Sequence, residues 1–149
     1  MVIHRDIKLE NVIITKNLET ILIDFGYGEV IPRENYSLTR YCGTLFYMPP
    51  EIILGESYDG ESYYLLTTGR KADVWSFGVL YFKMISGIYP FESENDSKKE
   101  LYEQIVFKDL DFPPDFTEED EHLIQMVLNR DPVQRANFKE IISFLSQIV

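Results

Sequence analysis

The sequence is poor in cysteine, histidine and basic residues, and each shortage excludes a class of protein. Its 149 residues include one cysteine, Cys42, so no disulfide forms within the chain and we expect a reducing intracellular setting such as the cytoplasm. Two histidines and one cysteine do not make a structural zinc cluster. The 14 Lys and Arg against 25 Asp and Glu give a net charge of −11, which argues against nucleic-acid binding, because such binding needs cations that neutralise phosphates.

Long apolar segments are missing as well. No run of about 18 apolar residues occurs, so we expect no membrane-spanning helix and no membrane partner. The first residues lack a basic stretch followed by an apolar one, so we also expect no secretory signal. Core-forming residues, in contrast, are abundant, with 45% hydrophobic and 14% aromatic residues. This length and composition predict a single globular domain.

In the first third of the chain, the sequence predicts short strands and loops. Two β-branched runs at 12–15 and 21–23 flank a polar turn, which predicts a β-hairpin. Residues 25–51 contain three prolines and no sustained period, and such long loops are usually functional. Residues 55–72 are rich in Gly, Ser and Tyr, and we predict a surface loop there.

The second half predicts helices. A helix from a cap at Asp73 to about residue 86 is apolar on nearly every side, so it must form the buried centre of the fold. Thr117 is a predicted cap, and Asn137 followed by Glu140 resembles a capping box. The helices expected around the central one span about 97–107, 118–129 and 138–148.

Polar residues near the hairpin suggest a site. Asp6, Lys8, Asn11 and Asp24 stand at loop or strand ends, and the hairpin folds residue 11 back toward residue 24. Two carboxylates, an amide and an ammonium suit phosphoryl transfer, which needs oxygen ligands for a metal, a proton acceptor and a cation. Taken singly, however, aspartates in loops are more often turn or cap residues, so residue type alone leaves both interpretations open.

Five motifs, in order along the whole chain, resemble those of the eukaryotic protein kinases. Residues 4–11 (HRDIKLEN) resemble the catalytic loop, and residues 24–26 (DFG) resemble the metal-binding triplet. The other three are the end of the activation segment at 42–51, the start of the buried central helix at 73–78 and an arginine motif at 131–136. The chain is identified by these motifs as a member of the serine/threonine type.

The resemblance implies an α+β, mainly α-helical fold: the C-terminal lobe of a kinase, with a short β-hairpin at the catalytic loop. Residues 1–149 would then form one unit, with the catalytic loop at 4–11, the activation segment at 24–51 and a helical subdomain at 73–149. The glycine-rich loop and the lysine strand of the upper lobe have no counterpart in these residues. We therefore expect little or no kinase activity from this chain alone.

The resemblance also implies roles for the polar residues. Asp6 would be the catalytic base, and Lys8 would contact the transferred phosphate. Asn11 and Asp24 would bind the Mg²⁺ ions that bridge the phosphates of ATP. Thr44 would hydrogen-bond toward Asp6 and Lys8. The implied cofactors are ATP and Mg²⁺.

Other motif residues have implied structural roles. His4 and Phe25 would belong to a stack of apolar side chains that Asp73 anchors to the central helix. Glu51 and Arg135 would form a buried ion pair between the activation segment and the helices.

Regulation is implied by Arg5, which stands beside Asp6. Kinases with this arginine are usually activated by an upstream kinase, because a phosphate on the activation segment pairs with the guanidinium. Ser37 and Thr39 are the candidate acceptors. The alternative interpretation is that they are hydroxyls in an exposed loop without a regulatory role.

The implied partners are protein substrates. Glu10 stands where some kinases bind a substrate arginine, and the net charge of −11 also favours basic substrates. Glu10 is equally read as a solvated loop acid. The alternative function is a truncated, non-catalytic kinase that acts as a protein-interaction module for a basic partner.

Overall fold

The computed structural model describes residues 2–30, 43–54 and 62–148, with side chains from residue 69 onward in the last range. The elements described are a few short strands and several helices. They confirm the predicted fold class, which is α+β and mainly α-helical. The strands are β1 (Val2–Ile3), β2 (Val12–Ile14), β3 (Thr20–Leu22) and β4 (Glu29–Val30), and the α-helices are α1 (Pro50–Ile53), α2 (Ser62–Ser86), α3 (Lys98–Phe107), α4 (Glu118–Val127) and α5 (Phe138–Ile148).

The predicted hairpin is confirmed by the pairing of β2 with β3. The strands are antiparallel, with Val12 opposite Leu22 and Ile14 opposite Thr20. Its turn contains Leu18 at a φ of 63°, a left-handed conformation that is uncommon for a residue with a side chain. A second two-stranded sheet pairs β1 with β4. The two sheets hold both ends of the predicted catalytic loop.

The central helix α2 begins earlier than the sequence predicts. It starts at Ser62 and not at Asp73, so the surface-loop prediction is wrong for residues 62–72, while residues 55–61 lie outside the described part. Asp73 is not a cap of this helix, because its carboxylate accepts the backbone N–H groups of His4 and Arg5, each at 2.8 Å. A polar residue with an N-cap preference is thus satisfied inside the helix by a distant loop.

A buried pair of basic residues anchors the same part of α2. Lys71, only 8% exposed, donates from Nζ to the carbonyl of Arg135, and Arg135 Nη1 donates back to the Lys71 carbonyl at 2.8 Å. Burial lowers the pKa of Lys71. These tertiary bonds attach this turn of α2 to the segment between α4 and α5.

The core surrounds α2, as its all-round apolar sequence predicts. Gly78 lets α4 approach, because a Cβ atom there would lie 2.6 Å from Val127 Cγ2 and 2.7 Å from Leu128 Cδ2. The largest fully buried side chains include Val74, Trp75, Val79, Phe82, Phe91, Ile105, Leu123 and Ile124. None of the helices in the described ranges has both the length and the apolar character needed to cross a membrane.

Two of the three predicted helix caps, Thr117 and Asn137, are confirmed. At α4, Asp120 N donates to Thr117 Oγ1 at 3.2 Å and Thr117 N donates to Asp120 Oδ2 at 3.0 Å, which is a capping box. At α5, Glu140 N donates to Asn137 Oδ1 and Asn137 N donates to Glu140 Oε2, at 3.2 and 2.7 Å. Asp120 also accepts the Tyr81 hydroxyl at 2.6 Å, which ties α4 to the central helix.

Candidate active site

The loop between β1 and β2 packs against α2 and against the segment that precedes α1. Its backbone is anchored by Asp73, whose pKa is raised by burial although the two backbone N–H groups that it accepts act in the opposite direction. Arg5 has a φ of 66°, and its carbonyl oxygen faces Gly43. A Cβ atom on Gly43 would lie 2.7 Å from that oxygen, and the φ of Gly43 is 108°, so both space and conformation require glycine there.

Asp6 is the centre of a dense hydrogen-bond network. Its side chain is 3% exposed. Oδ1 accepts Thr44 N at 3.1 Å and Thr44 Oγ1 at 2.9 Å, while Oδ2 lies 2.7 Å from Lys8 Nζ and accepts Asn11 Nδ2 at 3.1 Å. Lys8 Nζ also donates to Thr44 Oγ1 at 2.9 Å. Two donors on each oxygen fill the acceptor capacity of the carboxylate.

The network fixes the charge state of Asp6 and Lys8. Burial acts to raise the pKa of Asp6, but the hydrogen bonds from Lys8, Thr44 and Asn11 outweigh it and hold the pKa below its ordinary value. The hydrogen bond to Asp6 raises the pKa of Lys8, although burial opposes it. Both groups are therefore charged at neutral pH, and Asp6 is a carboxylate that can accept a proton.

Asn11 and Asp24 offer oxygen atoms beside this network. Asn11 uses Nδ2 for its bonds to the Asp6 carbonyl and carboxylate, which leaves its Oδ1 as a ligand atom. Ile23 N donates to the Asn11 carbonyl at 2.9 Å, so the next residue, Asp24, leaves the hairpin beside Asn11. The Asp24 charge also contributes to the raised pKa of Lys8.

Asp24 stands outside the hydrogen-bonded cluster. In the described ranges its carboxylate shares no hydrogen bond with Asp6, Lys8, Asn11 or Thr44, and Oδ1 accepts Gly26 N at 3.1 Å. No group of three or more His, Cys, Asp or Glu that could hold a metal occurs among these residues either. The protein's donor set is instead one carboxylate and one amide oxygen, hard donors that suit Mg²⁺ when the substrate supplies further oxygens.

His4 and Phe25, which the resemblance places in one stack of apolar side chains, are in contact. The rings of His4 and Phe25 lie 4.6 Å apart between centroids at an angle of 63°, an edge-on arrangement. His4 is buried and its Nε2 lies 3.0 Å from the Ile23 carbonyl, whereas Phe25 is 54% exposed. His4 thus connects the hairpin to Asp73, because its backbone N–H binds that carboxylate.

Glu51 and Arg135 form a buried, bidentate ion pair. Arg135 Nη1 and Nη2 each lie 2.8 Å from one Glu51 carboxylate oxygen. The Arg135 side chain is fully buried and that of Glu51 is 3% exposed. Arg135 Nε also donates to the Asn129 carbonyl at 2.8 Å, and the guanidinium lies 5.0 Å from the centre of the Trp75 ring. The pair joins α1 to the C-terminal helices.

Sequence reasoning missed Tyr47, which connects the Thr44 segment to the loop between β1 and β2. Tyr47 is 2% exposed, its hydroxyl accepts Leu9 N at 3.5 Å, and its carbonyl accepts Ser76 Oγ at 2.9 Å. Burial raises the pKa of Tyr47 far above its ordinary value. Only the fold reveals this role, because a tyrosine in a loop carries no local signal for it.

The structure also gives the Arg5 side chain partners that the sequence did not predict. Its guanidinium contacts the Tyr27 carbonyl at 2.6 Å and Glu29 Oε2 at 2.7 Å. The predicted phosphate acceptors Ser37 and Thr39 lie outside the described residues. Glu29 belongs to no sequence motif. Its contact with Arg5 could be recognised only from the pairing of β1 with β4, which brings the two residues together.

Comparison with known proteins identifies the family. A family model described as "Protein kinase domain" matches residues 1–144. The chain belongs to the protein kinase family. Among similar proteins, an Aurora kinase of Dictyostelium discoideum is 38% identical over 142 residues, which are 95% of this chain and 33% of that protein.

Two further kinases show a similar extent of matching. Aurora kinase A-B of Xenopus laevis is 36% identical over 95% of this chain and 31% of that protein. The cAMP-dependent protein kinase type 3 of Saccharomyces cerevisiae is 34% identical over 90% of this chain and 30% of that protein. The chain thus spans about a third of the length of these kinases.

Proposed function

We propose that this chain is the C-terminal lobe of a protein serine/threonine kinase that transfers the γ-phosphate of ATP, with Mg²⁺, to serine or threonine hydroxyls of protein substrates. The observation that carries the proposal is the ionised Asp6 carboxylate, held by Thr44 on one oxygen and by Lys8 and Asn11 on the other. Similar proteins include kinases whose names specify serine/threonine, from Dictyostelium discoideum and Saccharomyces cerevisiae, which supports that substrate class.

Asp6 would orient the attacking hydroxyl and receive its proton. Because both carboxylate oxygens already accept two hydrogen bonds, a substrate hydroxyl must replace one of the donors. Lys8 is the donor that leaves most readily, since its side chain is 21% exposed and its ammonium sits on a flexible four-carbon stem. The hydroxyl would then donate to Asp6 Oδ2 and lose its proton there as its oxygen bonds to the γ-phosphorus and the bond to ADP breaks.

Lys8 would take part in the same step. Its raised pKa keeps the ammonium charged at neutral pH. Released from Asp6, the ammonium can turn to the oxygens of the moving phosphoryl group and offset their negative charge. Thr44 would hold Asp6 in place meanwhile, because both its backbone N–H and its hydroxyl bind Oδ1.

Asn11 Oδ1 and the Asp24 carboxylate would hold the metal. Bound Mg²⁺ neutralises charge on the ATP phosphates. The bonds from Asn11 Nδ2 to Asp6 fix the orientation of the amide, so the same residue positions the base and presents an oxygen ligand. The hairpin keeps Asp24 beside Asn11 through the bond between Ile23 N and the Asn11 carbonyl.

The proposed substrates are basic proteins. Glu10 is exposed and lies in the same loop as Asp6, where a substrate cation can reach it. The net charge of −11 attracts basic proteins in general, which raises their rate of encounter more than their affinity.

Calorimetric titration with Mg·ATP tests the proposal. We expect Mg²⁺-dependent binding that weakens at least about tenfold in Asp24→Asn, because the variant loses a charged ligand. Asp115→Asn is the matched control, since Asp115 is an exposed acid on the helical side. Equal affinity of the wild type and Asp24→Asn would contradict the proposal. Tight binding of a basic protein that is indifferent to Asp24→Asn would favour the interaction module instead.

A further inference from the structure

Arg5 already has an anionic partner within its own chain. Its Nη2 lies 2.7 Å from Glu29 Oε2, and its Nε donates to the Tyr27 carbonyl at 2.6 Å. The side chains of Arg5 and Glu29 are 14% and 24% exposed, so the pair is largely shielded from water and salt. A charge-assisted contact of this length is a strong one.

Both partners are held by the described fold. Arg5 N donates to Asp73 Oδ1 at 2.8 Å, and the Arg5 carbonyl is packed against Gly43. Glu29 lies on β4 opposite Ile3 of β1, two residues before Arg5. The register of this small sheet therefore places the carboxylate beside the guanidinium.

The pair changes what Arg5 can attract. A free guanidinium draws a phosphate by its positive charge, whereas Arg5 together with Glu29 has no net charge. A phosphate that approached Arg5 would also face the Glu29 carboxylate at close range, and like charges repel there. A phosphorylated residue would thus have to displace Glu29.

We propose that Glu29 is a built-in substitute for an activation-segment phosphate, so that Arg5 and the adjoining Asp6 are held in place without phosphorylation of Ser37 or Thr39. The inference rests on the proposed kinase function, because it concerns the control of the same loop. It replaces the expectation of activation by an upstream kinase with constitutive ordering by an intramolecular ion pair.

Thermal unfolding of the full chain tests the first half of this proposal. Glu29→Gln keeps the shape of the side chain and removes its charge, and we expect the Tm to fall by about 2–5 °C. The matched control is Glu19→Gln, an exposed acid in the hairpin turn, for which we expect a change below about 1 °C. An unchanged Tm in Glu29→Gln would overturn the proposal.

Phosphoserine placed at position 37 or 39 during translation tests the second half. The increase in Tm that phosphoserine causes is measured in the wild-type chain and again in Arg5→Gln. The second increase is then subtracted from the first. We expect a difference near zero, since Glu29 already occupies Arg5. A difference above about 2 °C would show that Arg5 is available to phosphate and would overturn the proposal.

The test is independent of the proposed activity. Unfolding is measured without nucleotide, so the Tm of Glu29→Gln does not depend on whether the chain binds Mg·ATP. Conversely, equal Mg·ATP affinity of the wild type and Asp24→Asn would reject the kinase function. It would leave the Tm measurements on Arg5 and Glu29 valid.

Discussion

Two carboxylate–cation pairs in this chain have almost the same length and very different surroundings. Asp6 Oδ2 lies 2.7 Å from Lys8 Nζ, and Glu51 Oε1 lies 2.8 Å from Arg135 Nη1. Lys8 is 21% exposed, whereas Arg135 is fully buried. Ion pairs of nearly equal length thus differ widely in the access of solvent to the cation.

The cation type matches each environment. Arg135 binds both Glu51 oxygens with a rigid, planar fork and also donates to three backbone carbonyls, so every contact is lost together if it moves. Lys8 is a point charge on a flexible stem, and Asp6 keeps other donors when Lys8 leaves. The first arrangement stabilises the fold, and the second would exchange partners in the proposed reaction.

The largest expected effect breaks the buried pair. Arg135→Ala leaves the Glu51 carboxylate buried without a partner, and we expect the free energy of unfolding to fall by about 3–5 kcal/mol. Chemical denaturation measures this loss. Lys99→Ala is the control, since its pair with Glu103 is 3.8 Å long and exposed, and we expect a change below about 0.5 kcal/mol. A loss below about 1 kcal/mol in Arg135→Ala would remove the contrast between the two regions.

Lys8→Met breaks the corresponding pair at the site and should cost less. We expect a loss of about 1 kcal/mol in the free energy of unfolding, because Asp6 keeps its donors from Thr44 and Asn11. The pKa of Asp6 should rise, since the hydrogen bond that contributes most to lowering it is gone. NMR titration of the Asp6 carboxyl measures that change. A loss as large as that of Arg135→Ala would mean that the site pair is structural.

The pH dependence of stability sharpens the comparison further. Because the pKa of Asp6 is lower in the folded protein than in the unfolded chain, unfolding takes up a proton at acidic pH. Its stabilisation is therefore complete above about pH 4 and is lost as the pH falls through the lower, folded-state pKa. The difference in unfolding free energy between the wild type and Asp6→Asn, measured from pH 7 downward, should shrink only below about pH 4. A difference that shrinks already between pH 7 and pH 5 would contradict the lowered pKa.

The smallest expected effect concerns the hairpin that carries Asn11 and leads to Asp24. Leu18 is 84% exposed with a φ of 63°, so its side chain contributes little packing and its backbone is strained. Leu18→Asn should raise the free energy of unfolding by about 0.5–1 kcal/mol, because asparagine tolerates this conformation. Chemical denaturation of this variant and of the neighbouring control Lys16→Asn measures the gain. Equal values for both would show that the turn is not strained.

The sequence alone predicted those elements that are determined by neighbouring residues. The hairpin followed from its β-branched runs, and the caps of α4 and α5 followed from Thr117 and Asn137, because the donors and acceptors lie within three residues of each other. The cluster of Asp6, Lys8, Asn11 and Thr44 was predicted only with the kinase resemblance, since Thr44 is 38 residues from Asp6.

The predictions that failed or were missing depend on distant partners. The start of α2 was placed at Asp73, but that carboxylate serves backbone groups 68 and 69 residues away. The contact of Arg5 with Glu29 depends on the register of β1 and β4, and the contact of Tyr47 with Leu9 depends on the packing of two loops. None of these contacts has a signature within a short stretch of sequence.

By itself, the sequence determined which residues are available for chemistry, which helices are amphipathic and which family the chain resembles. The tertiary structure decided which charged groups are buried, which carboxylate meets which cation, and hence which cation is fully buried and which keeps contact with solvent. The reason is physical: charge and side-chain type belong to the residue, whereas solvation and the distance to a partner arise only when segments far apart in the chain pack together.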